Sequence, residues 1–101
     1  MNNTEQKFHD EMLNLYEKTK KETSYNATYF LRLITDIGGL PAAKQLLNQT
    51  GYPDGLTKLW EINRLDLSME DLVISDPWNT LFTKDELNIA RKRLKELRYL
   101  K

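Results

Sequence analysis

The sequence predicts an all-α protein, a single compact bundle of five to six short helices formed by residues 1–101. Three observations predict it. Apolar residues recur at three- and four-residue steps along most of the chain. Helix-start signals alternate with glycine and proline punctuation. No strand-like alternation extends beyond Asp71-Leu72-Val73-Ile74, and a capping signal assigns that stretch to helix.

The first helix is expected from about Glu5 to Lys21. Phe8, Met12, Leu15, Tyr16 and Thr19 fall on one of its faces. Asn3 or Thr4 is placed to cap it, because a side-chain oxygen there accepts from a free first-turn amide. Lys18, Lys20 and Lys21 complement the carbonyl end.

A second helix is expected to begin with Asn26 as N-cap, with Tyr25 packed on Phe30 across the first turn. Tyr29, Phe30, Leu33, Ile34 and Ile37 give it a wide apolar stripe, and Gly38-Gly39 ends it. Pro41 suits the first turn of a third helix running to Asn48, with Ala42, Ala43, Leu46 and Leu47 facing inward. Gly51-Tyr52-Pro53-Asp54-Gly55 is the clearest loop.

Asp54 is positioned to cap a fourth helix to about Asn63, with Leu56, Leu59 and Trp60 inward. Leu65-Asp66-Leu67 reads as a short extended link. Ser68 to Asp71 resembles a capping box ahead of a two-turn fifth helix. Asp76-Pro77-Trp78 starts a short turn or 3₁₀ segment ending in Leu81-Phe82. Thr83 to Glu86 is a full capping box for the last helix, whose buried stripe is Leu87, Ala90, Leu94 and Leu97. One core must serve the widest stripes, so Trp60, Phe30 and Leu94 are expected to be buried together.

Composition excludes more than it identifies. Fifteen basic and 15 acidic residues, with 40% hydrophobic residues, fit an ordinary globular protein. The absence of cysteine removes disulfides, thiolate metal sites and cysteine nucleophiles. One histidine, His9, removes any site needing two imidazoles. Its i+4 relation to Glu5 leaves a metal short of ligands, so an exposed surface role is expected. Asp66, Glu70 and Asp71 cluster near a helix start, where carboxylates stabilise the dipole, and they carry no catalytic assignment. The sequence therefore points to no enzyme, no cofactor and no metal. The polar N-terminal segment lacks a signal peptide's apolar run, and no stretch approaches the roughly 20 apolar residues of a membrane span. A cytoplasmic setting with no membrane contact is the expectation.

Charge is unevenly distributed. Residues 27–83 carry four basic groups against seven acidic ones, a balance of −3. Residues 84–101 carry seven against three, a balance of +4. Arg91, Lys92, Arg93, Lys95, Arg98 and Lys101 spread over the face opposite the apolar stripe, and Tyr99 is available to stack on a base. Such a helix serves an acidic protein, a nucleic acid or plain solvation. Leu56 to Ile74 has the outline of a helix-turn-helix, but Glu70 and Asp71 at the start of its second helix would meet phosphates. Tyr52 and Trp78 stand in loops beside prolines. They are candidate partner contacts or covers for the core.

From Tyr25 to Leu97 the order of motifs resembles a widespread prokaryotic family of small helical proteins and appended domains. The residues are Gly38-Gly39-Leu40, Leu59-Trp60-Glu61, Arg64-Leu65-Asp66-Leu67-Ser68, Leu81-Phe82-Thr83, Glu86-Leu87 and Arg93-Leu94. The stretch from Leu59 to Ser68 is the most specific, and Leu56 stands where phenylalanine is usual. The resemblance implies a bacterial or phage protein and brings no catalytic residue. The expected function is a non-catalytic protein-interaction module, a regulatory or accessory factor. Its candidate contacts are Tyr52, Trp78, Arg91, Lys92, Lys95, Arg98 and Tyr99. The alternative is a nucleic-acid-binding accessory domain that uses the last helix and makes weak contacts. The partner's identity and the oligomeric state are open.

Overall fold

Apolar periodicity becomes helix in the computed structural model, which describes residues 3–100. Six α-helices follow in order: α1 (Asn3–Glu22), α2 (Thr28–Ile37), α3 (Gly39–Asn48), α4 (Asp54–Glu61), α5 (Met69–Val73) and α6 (Lys84–Glu96). Two 3₁₀ turns, Leu65–Leu67 and Trp78–Leu81, flank α5. There is no strand among the described residues, so the protein is an all-α bundle. No helix among them is long and apolar enough to cross a membrane.

The main core gathers one stripe from each of several helices. Phe8 and Met12 of α1 meet Ile34 of α2, Ala42 and Ala43 of α3, Val73 of α5 and Ala90 of α6. Phe8 lies edge-on to Phe82, with ring centroids 5.4 Å apart. The alanines let α3 approach its neighbours closely. Helices α1 and α3 pack tightly, and a Cβ on Gly39 would lie 2.7 Å from His9 Cα. His9 is half-buried there, and its Nδ1 accepts a hydrogen bond from the Gly39 N–H at 2.8 Å. The histidine expected on the surface is thus a helix-to-helix strut.

A smaller core lies beside α4. Leu56 and Leu59 meet Leu65 and Leu67 there, with Leu15, Tyr25, Tyr52 and Leu97 against them. The link at Leu65–Leu67 is 3₁₀ rather than extended, yet both leucines are buried as expected. Trp60 is not. It is 49% exposed, because an eight-residue surface helix turns only a narrow arc inward and Leu56 and Leu59 occupy it. Phe30 is half-buried, so only Leu94 of the expected Trp60–Phe30–Leu94 centre is fully buried.

Helix starts follow the expected chemistry in two places and depart from it in others. Thr83 Oγ1 accepts from the Glu86 N–H while Glu86 Oε1 accepts from the Thr83 N–H, a complete capping box on α6. Ser68 Oγ accepts from the Asp71 N–H and caps α5. Asn26 does not cap α2, which starts two residues later. Its Oδ1 instead accepts from the Tyr16 hydroxyl at 2.9 Å, tying the loop to α1. Asp54 is the first residue of α4, following Pro53. Asn3 and Thr4 lie inside α1, and the position before it is outside the described residues. The third helix begins at Gly39, two residues ahead of Pro41. Gly38, at φ +94°, both ends α2 and starts α3, leaving no connecting residue.

Candidate functional site

The outer face of α6 is built by its inner face. Ala90 and Leu94 are fully buried, with Glu86 and Arg93 beside them. At about 100° per residue, Lys84, Arg91 and Lys95 then share the opposite face, with Lys92 next to them. All four are exposed, and none forms an ion pair among the described residues. Arg98 follows in a left-handed conformation, φ +64°, and is exposed too. The expected cations Arg91, Lys92, Lys95 and Arg98 are therefore brought to the surface at this end of the chain. Lys101 lies outside the described residues.

Carboxylates border this ridge. Asp85 and Glu96 are exposed on α6. Glu96 accepts a hydrogen bond from the Tyr52 hydroxyl, which raises the tyrosine above its ordinary range. Tyr52 is thereby half-buried and anchored to α6 instead of projecting from its loop. Tyr99 is 39% exposed, and its hydroxyl lies within the influence of the Asp71 carboxylate. Burial, followed by the charges of Asp71 and Asp66, raises the Tyr99 phenol. Burial likewise raises Asp71, with Asp66 adding to the effect. Trp78 covers the core: its ring is 5.9 Å from that of Phe8 and half-buried.

Arg93 corrects the sequence reading. It does not join the outer cations but is 5% exposed. Its Nη1 donates to Glu70 Oε2 at 3.0 Å and to the Leu46 carbonyl at 3.1 Å. Its Nη2 donates to the Leu47 and Gly51 carbonyls, both at 3.2 Å, and to Gln49 at 3.4 Å. The planar fork thus closes the carbonyl end of α3 and neutralises Glu70. Glu70, expected in a solvated first turn, is 2% exposed. Burial pushes its carboxyl up, and Arg93 opposes that shift. The helix-turn-helix outline fails here, because an acid locked in the core and a five-residue α5 cannot present a recognition surface. One signal could have found Arg93. It lies seven residues after Glu86 and three after Ala90, on the buried stripe itself.

Three further ion pairs tie side chains together. Lys44 Nζ is 2.7 Å from Glu86 Oε1, and Arg64 contacts both Glu22 at 2.7 Å and Asp66 at 3.0 Å. Hydrogen bonding to Arg64 lowers Asp66. Asp66 and Glu70 are thus each paired with an arginine, while Asp71 stays near enough to Asp66 to feel its charge.

A cavity of about 280 Å³, with no counterpart in the sequence reading, opens between α1, the start of α2, α4 and residues 67–70. Leu15, Tyr25, Tyr29, Phe30, Leu56 and Leu59 line it, and Glu70 lies at one wall. Its volume is just under the roughly 300–1,000 Å³ usual for small-ligand pockets. Tyr29 and Phe30 read as core in the sequence because they sit on an apolar stripe, and Tyr25 because it staples against Phe30. Tyr29, however, is 63% exposed at the rim. No family model, curated protein or solved structure matches the chain.

Proposed function

We propose that the chain is a non-catalytic protein-interaction module, a small regulatory or accessory factor that docks an acidic protein surface on the outer face of α6. One observation carries this reading. Buried or half-buried cations have partners: Lys44 has Glu86, Arg64 has Glu22 and Asp66, and Arg93 has Glu70. Among the described residues, exposed cations such as Lys7, Arg32 and Lys58 make no ion pair but stand singly, whereas Lys84, Arg91, Lys92 and Lys95 gather without ion pairs on a single helix face. An acidic partner supplies the missing carboxylates and gains on-rate and register from them. The resemblance to a prokaryotic family of small helical proteins agrees with such a role in a bacterial cytoplasm, for a protein encoded by the bacterium or by a phage.

A nucleic-acid reading uses the same cations, and the exposed ring of Tyr99 favours it. The flanking carboxylates favour protein. Asp85 and Glu96 border the ridge, and the Asp71 charge acts on the Tyr99 phenol. A continuous phosphate backbone would be repelled by each of them, whereas a protein surface offers discrete charges that avoid them. The test is affinity capture from nuclease-treated extract with the wild type and with Lys92→Glu/Lys95→Glu. A protein retained by the wild type and lost with the charge reversal supports the proposal. Capture that survives the reversal, or that nuclease abolishes, contradicts it.

A further inference from the structure

The cavity between α1, α2 and α4 differs chemically between its interior and its mouth. Inside, polar side chains already have protein partners. Tyr16 donates to Asn26, Thr19 donates to the Leu15 carbonyl, Ser68 accepts from Asp71 and Glu70 is held by Arg93. An occupant there gains by burying apolar surface and meets no unsatisfied polar group.

The mouth is different. Asp54 is exposed there, and its carboxylate makes no hydrogen bond or ion pair among the described residues. The Tyr25 hydroxyl faces it, also without a hydrogen-bond partner among those residues, and burial and the Asp54 charge raise this phenol. The hydroxyl lies beside Gly55: a Cβ there would touch it at 3.5 Å, an ordinary van der Waals contact. Tyr29 stands at the same rim. No lysine, arginine or histidine lines the cavity.

We propose that this cavity binds a small organic amine with an apolar body. The body fills the space between Leu15, Phe30, Leu56 and Leu59. The ammonium remains at the mouth, paired with Asp54 and set against the tyrosine rings. An organic anion of the same size would meet the unpaired Asp54 carboxylate and no lining cation, Glu70 being already paired with Arg93. No residue of α6 lines the cavity, so this site and the α6 ridge stand or fall separately.

The test titrates three probes of similar size into the full chain: 2-phenylethylamine, 2-phenylethanol and 3-phenylpropanoate. Amide chemical shifts report the site. The amine is expected to shift Thr19, Gly55 and Leu56 saturably, the alcohol more weakly and the carboxylate least. Asp54→Asn should weaken the amine roughly twofold to fivefold, the size of an exposed ion pair, and leave the alcohol unchanged. Tyr29→Ala removes a surface ring without touching the core and should also cost the amine more than the alcohol. Three results would overturn the proposal: the carboxylate binding as tightly as the amine, the amine shifting none of these amides, or Asp54→Asn weakening amine and alcohol equally.

Discussion

Arg93 and Glu70 meet 3.0 Å apart inside the bundle, 5% and 2% exposed. The pair joins α6 to α5, and through the α3 carbonyls it holds a third helix. Both groups depend on each other, since either alone would be a charge without solvent. Arg93→Met should therefore destabilise by about 3–5 kcal/mol, a large part of a small domain's stability. Arg93→Lys should fare little better, because an ammonium lacks the planar fork that reaches four carbonyls and a carboxylate. The double variant Glu70→Leu/Arg93→Met should recover part of the loss by removing the orphaned carboxylate. Urea denaturation checks all three, and an unchanged midpoint for Arg93→Met would show that the pair is dispensable.

Glu86 supplies a pH dependence. Burial opposes its ionisation, but Lys44, the Thr83 N–H and Asn48 outweigh that and hold the carboxyl below its ordinary range. A carboxylate lowered in the folded state stabilises at pH values above its unfolded pKa. That contribution is lost as pH falls through the folded value. Glu86→Gln should thus lower the melting temperature at neutral pH, and its gap from the wild type should shrink on acidification. A gap that widened toward low pH would reverse the sign.

Gly39 tests the contact between α1 and α3. Gly39→Ala places a methyl group 2.7 Å from the His9 backbone, where no side chain can rotate away. The helices must separate, at a cost of about 1–3 kcal/mol typical of overpacking. A thermal melt that matches the wild type would mean that α1 docks elsewhere.

Trp60 and Phe8 should contrast. Phe8→Ala removes a fully buried ring from the main core and should cost about 3–5 kcal/mol. Trp60→Ala removes a half-exposed ring and should cost less than about 1 kcal/mol. Paired denaturation curves decide this, and equal losses would place Trp60 in the core after all.

The contrast also shows where sequence is informative. The capping box at Thr83 and Glu86 was legible because its chemistry is local: four residues contain both donors and both acceptors. The same holds for Ser68 with Asp71 and for the apolar stripes of α1 and α6. Trp60 was misplaced because local periodicity cannot tell how wide an arc a short helix turns inward. Asn26 was misread because a competing partner, the Tyr16 hydroxyl, lies ten residues away in sequence. Arg93 and Glu70 escaped for the same reason, being 23 residues apart and each chemically ordinary on its own helix. The exposed cations of α6 were readable from the stripe they avoid. The cavity was not, since its walls come from segments far apart in sequence, from Leu15 to Glu70.

The most direct test of the central claim is a gel-shift titration of duplex DNA and of single-stranded RNA across a salt series. If α6 serves an acidic protein, binding to either should be weak at low salt and vanish near physiological salt, as its few phosphate contacts release few counterions. Lys92→Glu/Lys95→Glu should remove even that residue of binding while leaving the fold intact, since both side chains lie on the exposed face. Sub-micromolar binding that persists at physiological salt would contradict the claim and assign the ridge to nucleic acid.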